Sequence, residues 1–337
     1  MKIKLSHNFE EIISAENLLE AWREFLRGKR SKPDVQGFSL CLMDNIFSLH
    51  GDLANHTYKH GAYQAFKIND PKPRDIHKAS VRDRLLHHAI YRKLYPFFEK
   101  VFIADSFSCR INKGTHKAMN RFRAFAYKTS KNNTKTCWIL KCDIKKFFAS
   151  IDHKTLKEIL AKHISGKNTL WLLDEVIDSF NSGSPSKGLP LGNLTSQLLV
   201  NIYMNEFDQF LKHKLKIKHY IRYADDFILL SDDKKRLEDK IEPIKEFLKN
   251  KLKLEIHKDK IQIKSPSSGV DFLGWVHFPD HRVLRTKTKR RMFKRISANP
   301  APETINSYLG LLGHGNTRKL RDEIYRQTAE QFKAELR

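Results

Sequence analysis

Cysteine is scarce in this chain of 337 residues, which contains four: Cys41, Cys109, Cys137 and Cys142. No two of them form a CxxC pair, and no cluster of cysteine and histidine has the spacing of a zinc site. The pattern argues against a fold stabilised by structural zinc and predicts reduced thiols, as in a cytosolic protein.

Long apolar runs are also missing. The first thirteen residues, MKIKLSHNFEEII, lack the continuous apolar stretch of a signal peptide. No segment approaches the roughly 20 apolar residues that cross a membrane. We therefore expect a cytoplasmic protein with no membrane contact. Apolar residues nevertheless make up 40% of the chain, which is enough for a real core and excludes disorder of the chain as a whole.

Acidic residues are outnumbered, with 38 Asp and Glu against 63 Lys and Arg and a formal net charge of +25. So basic a protein usually binds a polyanion, because phosphates attract it and released counterions favour association. Nucleic acid is the favoured partner, and a ribosome-associated or merely basic surface is the alternative. The imbalance is strongest near the end, where residues 281–302 have no acidic side chain and residues 282–295 include eight Lys or Arg.

Hydrophobic periodicity predicts alternating helices and strands. Helices are expected over residues 9–27, 38–55, 80–98 (ending near Pro96), 154–180, 195–216 and 234–250. Strands are expected over residues 63–68, 138–144, 254–263 and 270–277, with a β-hairpin over 219–231. From residue 138 onward this order predicts an α+β fold, with helices on one face of a mainly antiparallel sheet.

Three carboxylates stand out against this background. Asp225 and Asp226 lie at the turn of the predicted hairpin, between apolar strands, and Asp143 ends another apolar strand. Acids in such surroundings are costly unless a cation neutralises them. Oxygen ligands without His or Cys favour magnesium over zinc. The alternative is a solvated turn, which is how we interpret the neighbouring pair Asp232 and Asp233, to which no role is assigned.

Residues 223–226 (YADD) resemble the YxDD box of reverse transcriptases. Other segments resemble further motifs of that family, in the family's order. These are residues 72–74 (KPR), 81–84 (VRDR), 109–116 (CRINKGTH), 141–153 (KCDIKKFFASIDH), 188–197 (GLPLGNLTSQ) and 272–275 (FLGW). The resemblance covers about residues 66–277, and the remaining tail is similar to a thumb.

The resemblance implies a right-hand polymerase of fingers, palm and thumb, with an antiparallel palm sheet like that of an RNA-recognition motif and a helical thumb. The implied domains are an N-terminal helical extension (1–65), fingers (66–137), a palm (138–278) with a fingers insertion near 154–188, and a basic helical thumb (279–337). The implied activity is RNA-directed DNA polymerisation with an RNA template, a DNA or RNA primer and deoxynucleoside triphosphates.

The resemblance also assigns site residues. Asp143, Asp225 and Asp226 would be catalytic and, with Ile144, would hold two Mg²⁺ ions about 4 Å apart, which activate the primer hydroxyl and stabilise the leaving pyrophosphate. The nucleotide-binding positions would be Lys72, Arg74, Phe148, Leu191, Gly192, Gln197 and Lys260. The nucleic-acid-binding positions would be Arg84, Arg110, Lys113, Phe272, Leu273, Gly274, Lys289, Arg290 and Arg291.

Several of these roles have plain alternatives. Phe148 would be the steric gate that selects deoxynucleotides, or an ordinary core residue. Lys72 and Arg74 would hold the triphosphate, whose charge requires such cations. Lys260 would protonate pyrophosphate, although a basic residue at a strand end is commonplace. The basic segment 282–295 would bind template–primer phosphates, or form a solvated face.

The match is closest to reverse transcriptases of diversity-generating retroelements. Group II intron enzymes and most others show QGxxxSP where this chain has Leu191 before Gly192 and Ser196 before Gln197. Leu191 offers no hydrogen bond to the incoming sugar, so we expect error-prone copying, with errors mainly opposite template adenines as the resemblance implies. Leu191 packing under the palm is the alternative.

Other functions remain open from the sequence. Within the enzyme class, the rivals are an anti-phage defence reverse transcriptase and a group II intron-type enzyme. Outside it, the rival is a catalytically idle RNA-binding protein. A small basic accessory protein is a further partner implied by the resemblance.

Overall fold

The computed structural model describes residues 4–5, 9–69 and 73–335. Lys72, predicted to bind the triphosphate, lies outside the described residues. In the part of the chain that is described, no helix combines the length and the apolar character needed to cross a membrane.

Four helices open the chain: α1 (Phe9–Ile13), α2 (Ala15–Phe25), α3 (Pro33–Leu40) and α4 (Leu42–Ala54). The predicted continuous helices over 9–27 and 38–55 are each divided. Ser14 separates α1 from α2, because its side chain caps the second helix by accepting a hydrogen bond from the Asn17 backbone N at 3.2 Å. Cys41 adopts a non-helical conformation and separates α3 from α4.

A hairpin and two long helices follow: β1 (Gln64–Ile68), β2 (Arg74–Lys78), α5 (Val81–Val101) and α6 (Thr115–Thr129). The expectation that α5 ends near Pro96 is wrong. A proline costs its helix a backbone hydrogen bond, but here Leu94, Tyr95 and Phe98 around it are buried and hold the helix in place. Helix α6 was not predicted, although Ala118, Phe122 and Phe125 have helical spacing.

The centre of the chain forms β3 (Trp138–Asp143), α7 (Phe147–Ser150), α8 (His153–His163), α9 (Lys167–Asp178), α10 (Leu194–Gln209), β4 (His219–Tyr223), β5 (Asp226–Ser231), α11 (Lys234–Leu252) and β6 (Gln262–Lys264). Helix α10 ends in a π-helical turn, Phe210–Lys214, and a 3-10 turn, Lys258–Lys260, replaces much of the strand predicted over 254–263. The predicted hairpin over 219–231 is confirmed, with β4 antiparallel to β5.

The four central strands form one antiparallel sheet in the order β4-β5-β3-β6. Side chains alternate between its faces, as expected for strands. Leu140, Phe227 and Leu229 join the large core beneath the N-terminal helices, α5, α8 and α10. Ile139 and Ile228 join a second core with α6. The sheet therefore has helices on both faces, whereas the periodicity led us to expect them on one.

The tail begins with a three-stranded antiparallel sheet of β7 (Val270–Phe272), β8 (Trp275–His277) and β9 (Arg282–Leu284). The single strand predicted over 270–277 is thus a hairpin, because Leu273 and Gly274 have positive φ angles of 53° and 85° and turn the chain. Three helices follow, α12 (Thr286–Ala298), α13 (Pro302–Leu312) and α14 (Arg318–Glu335). Their core contains Met292, Ile296 and Leu312, and joins Met119 of α6.

Candidate active site

The turn between β4 and β5 carries Asp225, and Asp226 begins β5. Ala224 has a φ of 55°, in the left-handed region, which makes the turn tight. The sheet register places Asp143, the last residue of β3, directly opposite Asp226. The backbone N of Ile144 donates to the carbonyl O of Asp225 at 3.2 Å. Two neighbouring strand ends therefore bring the three carboxylates together.

The surroundings of these acids disfavour negative charge. Burial raises the pKa of Asp226 to about 6, and the charges of Asp225 and Asp143 add to the shift while Lys141 opposes it. Burial also raises the pKa of Asp225, again with a contribution from Asp143. A bound cation would remove both penalties, since it favours the charged form of each carboxylate.

A lysine supplies a positive charge to this group. Lys260 Nζ lies 2.6 Å from Asp143 Oδ1, so this side chain, predicted to protonate pyrophosphate, is bound to one of the three carboxylates of the group. Among the described residues, no set of three or more His, Cys, Asp or Glu side chains has an arrangement that could hold a metal ion as it stands. The donor chemistry, carboxylates without sulfur or imidazole, still suits a hard divalent cation. Binding such a cation at Asp143 would require the Lys260 ammonium group to move away from that carboxylate.

A cleft of about 670 Å³ opens beside the acidic turn. It brings together residues from distant parts of the chain that were predicted to act at one site. These are Arg74, Phe148, Leu191, Gly192, Gln197, Asp225, Asp226 and Leu273. The cleft is within the range that proteins use for nucleotide-sized ligands.

Strand β2 is hydrogen-bonded to the segment 191–193 at the cleft. The His77 backbone N donates to Leu191 O at 3.0 Å, and Asn193 Nδ2 donates to His77 O at 3.0 Å. Gly192 between them has a φ of 109°, and a Cβ there would lie 3.0 Å from Ile76 Cγ2. The positive φ therefore favours glycine at this position, and any larger side chain would also make a tight contact with Ile76 of β2.

Phe148 is held at the cleft wall by its neighbours. The Leu189 backbone N donates to Phe148 O at 2.9 Å, which joins Phe148 to the segment that continues to Leu191 and Gly192. Its ring packs edge-on against Phe147, with 5.6 Å between ring centroids. The ring is half-buried and lines the cleft while also contacting the large core, so both a gate and a packing role are compatible with its position.

Several predicted nucleic-acid-binding residues are not brought to the cleft. Arg84 pairs with Asp34 at 2.6 Å, and Arg110 is buried and bound to Glu99 at 2.6 and 2.8 Å. Lys113 Nζ donates to Ala104 O at 2.8 Å. All three side chains are therefore engaged by groups of the protein itself. Phe272 is likewise fully buried, in the core beneath α6.

The other predicted nucleic-acid-binding residues lie in the tail. Gly274 follows Leu273 in the turn between β7 and β8, beside the cleft. Lys289, Arg290 and Arg291 lie on α12, where Arg290 is exposed and Lys289 Nζ lies 3.6 Å from Glu323.

The sequence analysis missed a buried arginine directly behind the turn that carries Asp225. Arg222, in β4, is fully buried and bound through two hydrogen bonds, of 2.7 and 2.8 Å, to the equally buried Asp208 of α10. Its guanidinium also donates to three further oxygens: Asn201 Oδ1 at 3.1 Å, Ser106 Oγ at 3.0 Å and Ala224 O at 3.4 Å. The detectable signal was an arginine inside an otherwise apolar strand.

The fold and the site define a polymerase of the right-hand class. Acids lie at adjoining strand ends of an antiparallel sheet, beneath a nucleotide-sized cleft, and a hairpin and a basic helical tail flank them. Residues 67–277 match the model of the family described as reverse transcriptase (RNA-dependent DNA polymerase). The chain therefore belongs to the reverse transcriptase family and is an RNA-directed DNA polymerase.

The chain is also similar to individual proteins and to a solved structure. Protein YkfC of Escherichia coli K12 is 25% identical over 340 residues, covering 88% of this chain and 87% of that protein. The group II intron-encoded protein LtrA of Lactococcus lactis is 25% identical over 314 residues, covering 73% of this chain but only 50% of LtrA. The chain thus spans about half the length of that relative. The solved structure of apo telomerase from Candida tropicalis aligns with a TM-score of 0.49 and 15% identity, over 67% of this chain and 55% of the telomerase.

Proposed function

We propose that this reverse transcriptase makes error-prone cDNA in a diversity-generating retroelement. The observation that carries the proposal is Leu191, an aliphatic residue that lines the cleft immediately before Gly192. A hydrogen-bonding side chain at this position would hold the incoming sugar, and correct and incorrect base pairs differ in where they place it. A site that makes fewer contacts with the sugar gives a smaller difference in binding free energy between the correct and the incorrect pair.

We further propose that Asp143, Asp225, Asp226 and the backbone of Ile144 hold two Mg²⁺ ions, the ions being the family's means of activating the primer hydroxyl and stabilising the leaving pyrophosphate. In this proposal Lys260 moves from Asp143 to the triphosphate. Arg74 binds the same phosphates, in keeping with its place at the cleft, where its charge opposes the rise that burial causes in the pKa of Asp225.

The remaining assignments are also proposals. Residues 66–137, 138–278 and 279–337 would serve as fingers, palm and thumb, with residues 1–65 as an N-terminal extension. Arg290, exposed on α12, would contact template–primer phosphates together with Lys289 and Arg291. An RNA template, a DNA or RNA primer, deoxynucleoside triphosphates and a small basic accessory protein would be the partners.

A second candidate is a group II intron-type enzyme, which the similarity to LtrA favours. The flanking DNA separates the two. A template repeat, a variable repeat and a small accessory gene nearby would support the diversity-generating role, and intron boundaries around the gene would support the other.

Leu191→Gln tests the fidelity proposal. We expect the substitution to lower the misincorporation rate about three- to tenfold, because one added hydrogen bond contributes roughly 0.5–1.5 kcal/mol. The measurement is to copy a defined RNA and sequence the products. Leu191→Met, which keeps the side chain apolar, should leave the error rate unchanged. A wild-type enzyme as accurate as ordinary reverse transcriptases would remove the support for both the mechanism and the diversity-generating role.

Phe148→Ala tests the gate. Without the ring, a ribose 2′-hydroxyl no longer meets a steric clash, so discrimination against ribonucleotides should fall about ten- to hundredfold, as for other shape-selective pockets. Single-nucleotide insertion kinetics with matched deoxy- and ribonucleotides measure it. Phe148→Tyr keeps the ring and should retain the discrimination. If Phe148→Ala discriminates as well as the wild type, Phe148 is a packing residue only.

A further inference from the structure

A second concave surface lies at the opposite end of the β4–β5 hairpin from the catalytic turn. It is a pocket of about 530 Å³, which we call the rear pocket, and it is bounded by the end of α6, the segment before β4, the end of β5 and the first half of α11. Residues His219 and Tyr223, at the two ends of β4, are separated by roughly 13 Å of extended chain. Among the described residues, none that lines the rear pocket also lines the active-site cleft.

The rim of the rear pocket is strongly cationic. Six basic side chains line it: Lys128, Lys131, Lys216, Lys218, Arg236 and Lys240. They outnumber the two acids present, Asp232 and Asp239. None of the five lysines has an ion-pair partner in the described part of the chain. A concave surface of one charge sign concentrates its potential, so this rim attracts anions more strongly than scattered lysines would.

The floor of the rear pocket has a different character. Leu215, Ile217, Leu230 and Leu237 contribute aliphatic surface, and the ring of His219 lies beside them. His219 Nδ1 lies 2.9 Å from Thr129 Oγ1, and its ring packs against Phe125 with 4.8 Å between centroids, so its orientation is fixed. Burial, together with nearby charges such as Lys218 and Lys128, lowers the pKa of His219. The ring is therefore neutral at neutral pH and lines the pocket as an uncharged aromatic group.

A cationic rim around an apolar floor with a fixed ring matches the chemistry of an unpaired nucleotide, which has a flat base and charged phosphates on either side. We infer that the rear pocket binds an unpaired nucleotide of the RNA, in a segment outside the stretch being copied. Because the pocket and the catalytic turn are at opposite ends of one hairpin, the same nucleotides cannot occupy both. The pocket would anchor an RNA to the enzyme while another part of it is transcribed.

The test measures binding of a second strand. The active-site cleft is first saturated with a short annealed template–primer, and a labelled, unstructured oligouridylate is then titrated into the complex. We expect additional binding whose logarithmic salt slope reflects the rim lysines. Lys128→Glu combined with Lys218→Glu should weaken this binding at least about tenfold. Loss of two phosphate contacts should also flatten the slope by about 1.4, since each contact to a single strand contributes roughly 0.7.

A matched control is available elsewhere on the surface. Lys100 occupies the last turn of α5 as Lys128 occupies the last turn of α6, and Lys154 is another exposed lysine outside both sites. Lys100→Glu combined with Lys154→Glu makes the same change in net charge and should alter oligouridylate binding less than twofold. Primer extension on the short template–primer should be unchanged in both double variants, which shows that they are folded.

The stacking of a base on the His219 ring is tested separately. His219→Ala should weaken oligouridylate binding about fivefold or more, and His219→Phe, which restores a flat ring, should recover it. An oligodeoxyuridylate titrated in parallel shows whether the pocket accepts DNA equally, and equal binding would overturn its assignment to RNA.

Three other results would overturn the inference: no second strand bound by the wild type, equal loss of binding in the test and control variants, or binding of polyglutamate but not of oligouridylate, which would assign the pocket to an acidic protein. Because primer extension by the wild type is measured in the same samples, failure of this inference is distinguishable from failure of the polymerase assignment.

Discussion

Asp226→Asn is expected to lower DNA synthesis by at least about a thousandfold, equivalent to roughly 4 kcal/mol of activation free energy. Asp225→Asn should have a similar effect. Each amide keeps the shape of the side chain but removes a charge from the group formed with Asp143, so the proposed magnesium ions lose a ligand. Single-turnover primer extension on an RNA template, at saturating magnesium, measures the change.

The folding of the Asp226→Asn variant should not suffer. Burial raises the pKa of Asp226 to about 6 from 3.8, so the charged carboxylate destabilises the metal-free fold progressively as the pH rises through this interval and fully above it. The neutral amide removes that penalty. Thermal unfolding at neutral pH without magnesium should therefore give a melting temperature equal to or above that of the wild type.

Asp232→Asn supplies the matched control, since Asp232 belongs to an adjacent acidic pair in a polar context and lies outside the cleft. It should extend primers at the wild-type rate. Normal synthesis by a folded Asp225→Asn or Asp226→Asn variant would contradict the assignment of the catalytic carboxylates.

Arg222→Met is expected to reduce the free energy of unfolding by about 3–5 kcal/mol, because it leaves the buried carboxylate of Asp208 without its cationic partner. That loss is a large fraction of the roughly 5–15 kcal/mol that stabilises an ordinary domain. Urea-induced unfolding measures it. Lys162→Met is the control, since it removes a partly exposed pair with Glu206 at 2.9 Å and should cost no more than about 1 kcal/mol.

Arg222→Lys distinguishes a role of Arg222 in positioning the β4–β5 turn from its contribution to the stability of the protein. Lysine keeps the charge beside Asp208 but cannot reproduce the planar set of donors that reaches Asn201, Ser106 and Ala224 O. We expect this variant to remain folded, with the rate of nucleotide addition reduced about tenfold or more and nucleotide affinity little changed. A rate equal to that of the wild type would show that Arg222 serves stability alone.

Local sequence determined the elements that carry Asp143, Asp225 and Asp226. An apolar run on each side of Asp225 and Asp226 predicted the β4–β5 hairpin, because strands and tight turns depend on near neighbours in the chain. The apolar stretch before Asp143 predicted β3 in the same way. The glycine before Asn193 was likewise detectable, although only the fold shows its positive φ of 109° and the tight contact that a Cβ there would make with Ile76 of β2.

The roles of the charged side chains were decided by the tertiary structure. Arg84, Arg110 and Lys260 were each expected to face nucleic acid or nucleotide, yet Asp34, Glu99 and Asp143 bind them in the fold. A basic residue has the same charge whether its partner is a phosphate or a carboxylate of the protein itself. Two of these partners lie 50 and 117 positions away in the chain, where no local pattern can indicate them.

The strand order and the position of Arg222 likewise depended on the tertiary structure. The sequence by itself determined that this is a basic α+β protein with three carboxylates at strand ends and the motif order of a reverse transcriptase. Only the tertiary structure decided that β3 lies beside β5, that α6 covers the second face of the sheet, and that Arg222 lies behind the β4–β5 turn. Local patterns specify which face of an element is apolar, whereas the choice of partner depends on packing between segments far apart in the chain.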